Sequence, residues 1–219
     1  DTVWHIGNKT VRKVENRQEY LLQQTAKIED SCPIYAEQPL IFALKNVQFF
    51  VKDREILKDI TLEIPKGGRT VFLGENGCGK TTLLRLIARL YKPTGGNITQ
   101  YIDEKFKQKP KGSKAWYKKV GVVYQNPDYQ LFMPTVRQEI SFGAKSEEYA
   151  AEIAELFGVK HLWERHPQSL SEGQKRRVSI AAVAACEPEV LLLDEPTVGQ
   201  DYDGLCALVE ILNKLHMQS

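Results

Sequence analysis

The fold is decided by Gly74-Glu75-Asn76-Gly77-Cys78-Gly79-Lys80-Thr81, which matches the phosphate-loop pattern of glycine, four residues, then glycine-lysine-threonine. A short apolar strand at residues 69–73 precedes this stretch, and a helical pattern over residues 81–87 follows it. Glycines let the backbone curl until successive N–H groups point into one concavity, which binds anions at a helix N-terminus. Lys80 then reaches the β- and γ-phosphates, and the Thr81 hydroxyl reaches Mg²⁺. The sequence therefore predicts a nucleotide site.

The composition is that of an ordinary globular protein. Its 219 residues suffice for one sizeable α/β domain and an appendage, and 42% of them are hydrophobic. Thirty basic against 28 acidic residues leave a net charge of +2, which provides no general attraction for nucleic acid. The four cysteines lack metal-ligand spacing, so we expect reduced thiols in a cytosolic protein. No apolar run in the sequence approaches the length of a membrane span.

A second element of the predicted site, an acidic pair at a strand end, follows later in the chain. Residues 190–193 read as a strand buried on both faces, and Asp194 and Glu195 stand at its carboxyl end. From there Asp194 can reach the Mg²⁺ that Thr81 holds, and Glu195 can polarise an attacking water. The alternative is a chance acidic pair at a strand end, which the upstream phosphate loop disfavours.

Between these elements lies Leu170-Ser171-Glu172-Gly173-Gln174, which opens a predicted helix. Ser171 is a favourable N-cap, and with the small Gly173 nearby the helix start is exposed. The positive end of the helix dipole makes this start a second predicted anion site.

Together these motifs resemble the ATP-binding-cassette (ABC) ATPases over residues 41–215. They occur in the order phosphate loop, Q-loop glutamine at Gln125, signature at Leu170–Gln174, acidic strand at Leu191–Glu195, and D-loop at Val198-Gly199-Gln200-Asp201. The resemblance implies an α/β P-loop NTPase fold. That fold has a mostly parallel central sheet, an antiparallel β subdomain near its start, and a helical subdomain around residues 134–170 that carries the signature.

The resemblance also implies a head-to-tail dimer with a second ABC ATPase domain, in which each ATP lies between one phosphate loop and the other domain's signature helix. The ATP contacts that it implies are Gly74, Glu75, Asn76, Gly77, Cys78, Gly79, Lys80, Thr81 and Thr82, with Ser171, Gly173 and Gln174 contacting the ATP of the partner domain. It places Mg²⁺ on Thr81, Gln125 and Asp194. Glu195 is then the general base, and Lys80 and Gln125 act with it in catalysis.

A finer resemblance concerns residues 125–132 and 135–143, which look like the ATPases of energy-coupling-factor importers of vitamins, cobalt or nickel in bacteria and archaea. It implies a peripheral subunit on the cytoplasmic face of the membrane, bound to a transmembrane coupling subunit, while a separate membrane subunit binds the substrate. Tyr129, Leu131, Phe132 and Met133 fall where such ATPases grip a coupling helix. The alternative is that these four side chains belong to the core.

Two other functions stay open. Seven lysines within residues 103–119 suit a soluble ABC ATPase that acts on ribosomes or DNA. We nevertheless expect a solvated loop there and no nucleic-acid partner. The other alternative is a non-hydrolysing module that only completes its partner's site, against which intact Lys80, Asp194 and Glu195 argue.

The sequence departs from the family pattern in its adenine contact and its switch histidine. The family's adenine-stacking aromatic aligns with Val51, and Phe50 replaces it only if the strand register shifts. The family's switch-histidine strand would come after Ser219, and His216 does not match it. We therefore expect no switch histidine within these residues.

The first residues form a third departure. Alternating residues around Gly7-Asn8 predict a β-hairpin, and residues 1–25 resemble the hairpin and short helix that close the family's domain. We expect the tail of a preceding ABC domain at 1–25, a linker at 26–40, and an ABC domain without its switch-histidine strand at 41–219, which binds nucleotide but hydrolyses it poorly. The alternative is that the first residues dock back onto the sheet edge.

Overall fold

The computed structural model describes residues 2–7, 9–13, 39–102, 114–198 and 202–217. The chain forms two compact units, Asp1–Gly112 and Ser113–Ser219. The short helix expected after the first hairpin and nearly all of the expected linker lie outside the described residues.

The first unit contains an antiparallel sheet of three strands. Its order is β4 (Arg54–Pro65), β3 (Leu40–Val51) and β6 (Gly95–Gln100). Leu57 and Ile60 of β4 are fully buried. This sheet is the antiparallel β subdomain that the sequence predicts.

A second sheet in the same unit contains the strand before the phosphate loop. That strand, β5 (Thr70–Leu73), pairs in parallel with β1 (Thr2–Gly7), which pairs antiparallel with β2 (Thr10–Lys13). The Lys58 N–H donates to the Lys9 carbonyl at 2.8 Å and ties the hairpin to β4. The first residues therefore dock beside β5, while the origin of residues 1–25 in a preceding domain stays a prediction.

The second unit combines a parallel strand pair with helices. Strand β7 (Val120–Val123) pairs with β8 (Val190–Leu193). The helices of the unit are α2 (Lys114–Lys119), α3 (Val136–Ser141), α4 (Glu147–Leu156), α5 (Glu172–Ala184) and α6 (Tyr202–Met217), and helix α1 (Lys80–Ile87) belongs to the first unit. Val136, Ile140, Ile153 and Val178 lie in the apolar cluster that joins α3, α4 and α5. Because apolar side chains recur at helical spacing in these segments, burying one face of each helix builds this core.

These elements confirm the predicted α/β class, with parallel pairing seen in two separate sheets of the described residues. The lysine-rich segment needs a correction. Residues 103–113 lie outside the described part, but 114–119 form a helix rather than a solvated loop, because Trp116 is fully buried. None of the helices within the described ranges is long and apolar enough to cross a membrane.

Candidate functional site

The phosphate loop connects β5 to α1, and its conformation depends on glycine. Gly77 and Gly79 have φ angles of 81° and 105°, in the left-handed region that other residues rarely adopt. Gly79 is also the N-cap of α1, and a Cβ at this position would lie 2.7 Å from the Leu57 Cδ2 atom. The loop therefore requires glycine at position 79 for both its backbone angle and its packing against β4.

Lys80 encloses this loop with its own side chain. Its ammonium donates to the carbonyl oxygens of Gly74 at 2.8 Å and of Glu75 at 2.9 Å. The Cys78 N–H donates to the Glu75 carbonyl at 3.3 Å, which closes the turn. Thr81 and Thr82 follow in the first turn of α1, half-buried. A cation beside glycine-rich backbone at a helix start is a suitable environment for phosphate.

In the second unit, the parallel pairing of β7 and β8 brings their carboxyl ends together. Asp194 is buried, and its N–H donates to the Val123 carbonyl at 2.9 Å. Just beyond the strand ends, the Gln125 side-chain amide donates to the Glu195 carboxylate at 2.6 Å. Gln125 of one motif and the Asp194-Glu195 pair of another thus lie at one edge of this small sheet.

The backbone at Glu195 is unusual. Its φ is 48°, in the left-handed region that a side chain with a Cβ disfavours. Arg176 of α5 donates to the Glu195 carbonyl at 3.4 Å and also to the Gln125 carbonyl. Burial lowers the pKa of the Arg176 guanidinium, while the nearby carboxylates of Glu172, Glu195 and Asp194 oppose this change.

The signature opens α5 as a complete capping box. The Ser171 Oγ accepts from the Gln174 N–H at 3.4 Å, and the Gln174 side chain accepts from the Ser171 N–H at 3.1 Å. The predicted serine N-cap is confirmed. A hydroxyl that accepts in the cap still has its own hydrogen to donate, so Ser171 and the half-buried Gly173 two residues later can meet an anion at the helix start.

An exposed apolar surface lies after Gln125. The aromatic surface consists of Tyr129, Phe132 and Phe142, which are 79%, 67% and 70% exposed, and Phe132 meets Phe142 edge to face at 5.6 Å. These aromatics are not core, whereas Leu131, grouped with them from the sequence, is buried and packs inside. Three exposed aromatic rings, two of which are in contact, indicate an interaction surface.

Two buried charged residues, Glu139 and Lys175, anchor the segment that carries this surface. The Glu139 carboxylate accepts the Phe132 N–H at 2.9 Å and the Met133 N–H at 2.7 Å. Burial raises the pKa of Glu139, and these two bonds partly oppose the rise. Lys175 of α5 donates to Asp128 at 2.8 Å, and this bond raises the pKa of the lysine. The signature helix is thereby linked to the turn that carries Tyr129.

Sequence reasoning missed Arg176, Lys175 and Glu139. A signal for the first two was present, because basic residues in the first two turns of a helix oppose its dipole unless they have partners elsewhere. Glu139 gave no such signal, because a glutamate in a short helix is ordinary. For the D-loop, only Val198 lies within the described residues. Phe50 and Val51 are both exposed at the end of β3.

The donor chemistry of the predicted residues fits Mg²⁺ bound to a nucleotide. Thr81, Gln125 and Asp194 offer hydroxyl, amide and carboxylate oxygens, the ligands that this hard cation prefers. The described residues contain no group of three or more histidine, cysteine, aspartate or glutamate side chains suited to a metal ion.

The sequence model of the ABC transporter family matches residues 57–198. The chain is 42% identical over 170 residues to an energy-coupling factor transporter ATP-binding protein, EcfA2, of Lactococcus lactis, with 73% of this chain and 59% of the relative covered. It is 37% identical over 179 residues to a putative HMP/thiamine import ATP-binding protein of Bacillus subtilis, and the match covers 80% of this chain and 32% of the relative. The chain thus spans between a third and three fifths of these relatives.

Among solved structures, CbiO1 of Clostridium perfringens, described as part of the ABC transporter complex CbiONQ, shows 32% identity and a TM-score of 0.67. The match covers 82% of this chain and 74% of that one. A second ATP-binding cassette, MJ1267, has a TM-score of 0.71 at 22% identity, and the match covers 83% of this chain and 79% of that one. At this identity the likeness supports the fold alone.

Proposed function

This chain belongs to the ABC transporter family, and we propose that it binds and hydrolyses ATP as the energising subunit of an energy-coupling-factor importer. The observation that carries the proposal is the Gln125–Glu195 pair beside buried Asp194, at the edge where two parallel strands end. A positioned carboxylate with an amide partner is what activation of a water requires. The similarity to the Lactococcus lactis protein supports the importer type.

In the proposed mechanism, the loop from Gly74 to Thr82 and the Lys80 ammonium hold the phosphates of ATP and stabilise the charge that develops on the γ-phosphate. Glu195 accepts the proton of the water that attacks in line, and Gln125 orients the carboxylate through its amide. Thr81, Gln125 and Asp194 would hold Mg²⁺, which neutralises phosphate charge when bound.

The proposed partners follow from two surfaces. Ser171, Gly173 and Gln174 at the start of α5 would contact the ATP of a second ABC ATPase domain in a head-to-tail dimer. The aromatic surface would receive a helix of a transmembrane coupling subunit, because exposed aromatic rings suit an apolar partner. A separate membrane subunit would select the vitamin or transition-metal ion.

In this proposal the protein would lie on the cytoplasmic face of a bacterial or archaeal membrane, as a peripheral subunit. We further propose that residues 1–25 are the tail of a preceding ABC domain, that 26–40 are a linker, and that an ABC ATPase domain occupies 41–219. The parallel pairing of β1 with β5 is compatible with such a tail.

Calorimetry with Mg-ATP tests the nucleotide site directly. The parent chain is expected to bind, and Lys80→Ala is expected to weaken binding by at least about tenfold, or 1.4 kcal/mol, since it removes the cation of the loop. Lys92→Ala, an exposed lysine in the same unit, is the matched control. Absence of binding by the parent, or equal binding by Lys80→Ala, would overturn the proposed site.

Hydrolysis needs a second measurement on the complete protein with its partner subunits. Glu195→Gln retains the shape of the side chain but cannot accept a proton, so turnover should fall by about 10²-fold or more while ATP still binds. Unchanged turnover would favour the non-hydrolysing module.

A further inference from the structure

We propose that Arg176 is a positioning residue that holds Gln125 and Glu195 in register, so that the signature helix α5 controls the geometry of the hydrolytic pair. This inference rests on the proposed ATPase function. Arg176 is buried and lies outside both the phosphate loop and the acidic strand.

The geometry of Arg176 carries the inference. The residue is 5% exposed, and its guanidinium donates to two carbonyl oxygens that belong to Gln125 and Glu195. These two residues lie 70 positions apart in the chain and follow different strands. One planar group with a fixed fork of donors therefore ties together two backbones whose side chains bond to each other.

The backbone of Glu195 explains why such a tie is needed. Its φ of 48° is unfavourable for a residue with a Cβ. A strained backbone persists only where surrounding contacts hold it, and the Arg176 bond to the Glu195 carbonyl is one such contact. If this contact is lost, the peptide can rotate and the carboxylate moves away from the position set by Gln125.

The cost of burying Arg176 also argues for a functional role. Burial lowers the pKa of the guanidinium, which means that the charged form is penalised. Replacing a buried charge with an apolar side chain of similar volume is often neutral or stabilising. Packing alone therefore gives little reason for an arginine at this position, whereas holding two carbonyls requires several donors in one plane.

Helix α5 carries both Arg176 and the predicted anion site at its start, so it connects that start with the Gln125–Glu195 pair. Ser171 caps the helix, and Arg176 follows about one and a half turns later. A helix transmits displacement along its axis as a stiff element, so a shift at the capped start moves Arg176 and both carbonyls with it. In the proposed dimer, engagement of ATP by the start of α5 would thus set the hydrolytic pair of the same chain.

The test compares Arg176→Met, Arg176→Lys and the parent in the complete protein with its partner subunits. Arg176→Met should lower kcat by about ten- to a hundredfold, as expected for misplacement of a reacting group by about 1 Å. KM and the Kd for Mg-ATP should stay within about threefold, because the phosphate loop is untouched. Arg176→Lys, which still donates but lacks the planar fork, should recover part of the lost kcat.

Arg177→Met is the matched control, because it removes the next arginine of the same helix. The Arg177 Nε is buried without a hydrogen-bond partner. Arg177→Met should therefore leave kcat within about twofold, even if it changes the stability of the protein. Melting temperatures of all variants show whether folding is retained.

A second readout does not depend on turnover. The side-chain amide resonance of Gln125 in nucleotide-free protein, assigned by its loss in Gln125→Ala, should shift in Arg176→Met and stay in place in Arg177→Met. This resonance reports the bond to Glu195 directly, and a general loss of stability would not move it selectively.

The outcomes separate this inference from the proposed function. A parent that hydrolyses ATP and an Arg176→Met variant with equal kcat and an unshifted Gln125 resonance would overturn the inference and leave the function intact. Equal losses in Arg176→Met and Arg177→Met would also overturn it. A parent that does not hydrolyse ATP would overturn both.

Discussion

Glu139 provides the sharpest test of how the aromatic surface is held. Its carboxylate, 5% exposed, accepts the backbone N–H groups of Phe132 and Met133 at 2.9 and 2.7 Å. Glu139→Ala would leave both donors without this acceptor. Glu139→Gln retains an oxygen that can accept both N–H groups, replaces the other carboxylate oxygen with an NH2 group, and removes the charge.

The expected magnitudes follow from this difference. Leaving a buried donor unsatisfied costs about 1–3 kcal/mol, and Glu139→Ala leaves two. The variant no longer buries a carboxylate, which offsets part of this cost, so the free energy of unfolding should fall by about 2–4 kcal/mol. Glu139→Gln should lose about 1 kcal/mol or less. Since a domain has only about 5–15 kcal/mol of stability, the two variants are easily separated.

The pH dependence has a defined sign. Burial raises the pKa of Glu139 in the folded protein, so the folded state binds the proton more tightly than the unfolded state. The stability that this provides is complete below the unfolded pKa and is lost as pH rises through the folded pKa. The parent should therefore lose stability relative to Glu139→Gln as pH rises above the unfolded pKa of a glutamate, about 4.3.

Urea unfolding followed by circular dichroism measures these differences, with the exposed Glu155→Ala of α4 as the control. Equal losses for Glu139→Ala and Glu139→Gln would show that the oxygen does not hold the two N–H groups. A parent that gains stability relative to Glu139→Gln as pH rises would refute the reasoning about burial.

Two further predictions concern the phosphate loop and the aromatic surface. Gly79→Ala should abolish Mg-ATP binding, because its Cβ would meet Leu57 at 2.7 Å in addition to the backbone strain. Gly77→Ala has open space around its Cβ, so this variant should bind Mg-ATP more weakly but measurably. Calorimetry on both variants checks this order of affinities, and the reverse order would contradict it. Replacing Phe132 and Phe142 together by alanine should leave the melting temperature within a few degrees, because both rings are exposed. The same change should prevent copurification with the transmembrane subunit, and unaltered copurification would show that the rings are not the contact.

Much of the candidate site follows from short stretches of sequence. The phosphate loop is recognisable because its glycines, lysine and threonine act through local backbone, and the φ angles of Gly77 and Gly79 bear this out. The Ser171 cap is equally local, since its partner Gln174 is three residues away. Strands β7 and β8 follow from their apolar runs, so the position of Asp194 at a strand end was predictable as well.

The contacts that organise these pieces were not predictable from local patterns. Arg176 lies 51 residues from Gln125 and 19 from Glu195, and nothing in a helix sequence states which carbonyls a basic residue will meet. The exposure of Phe132 beside buried Leu131 depends on a turn whose N–H groups Glu139 holds. Local patterns fix backbone conformation because their forces act between neighbours. Partners far apart in the chain are chosen only when packing brings the elements together.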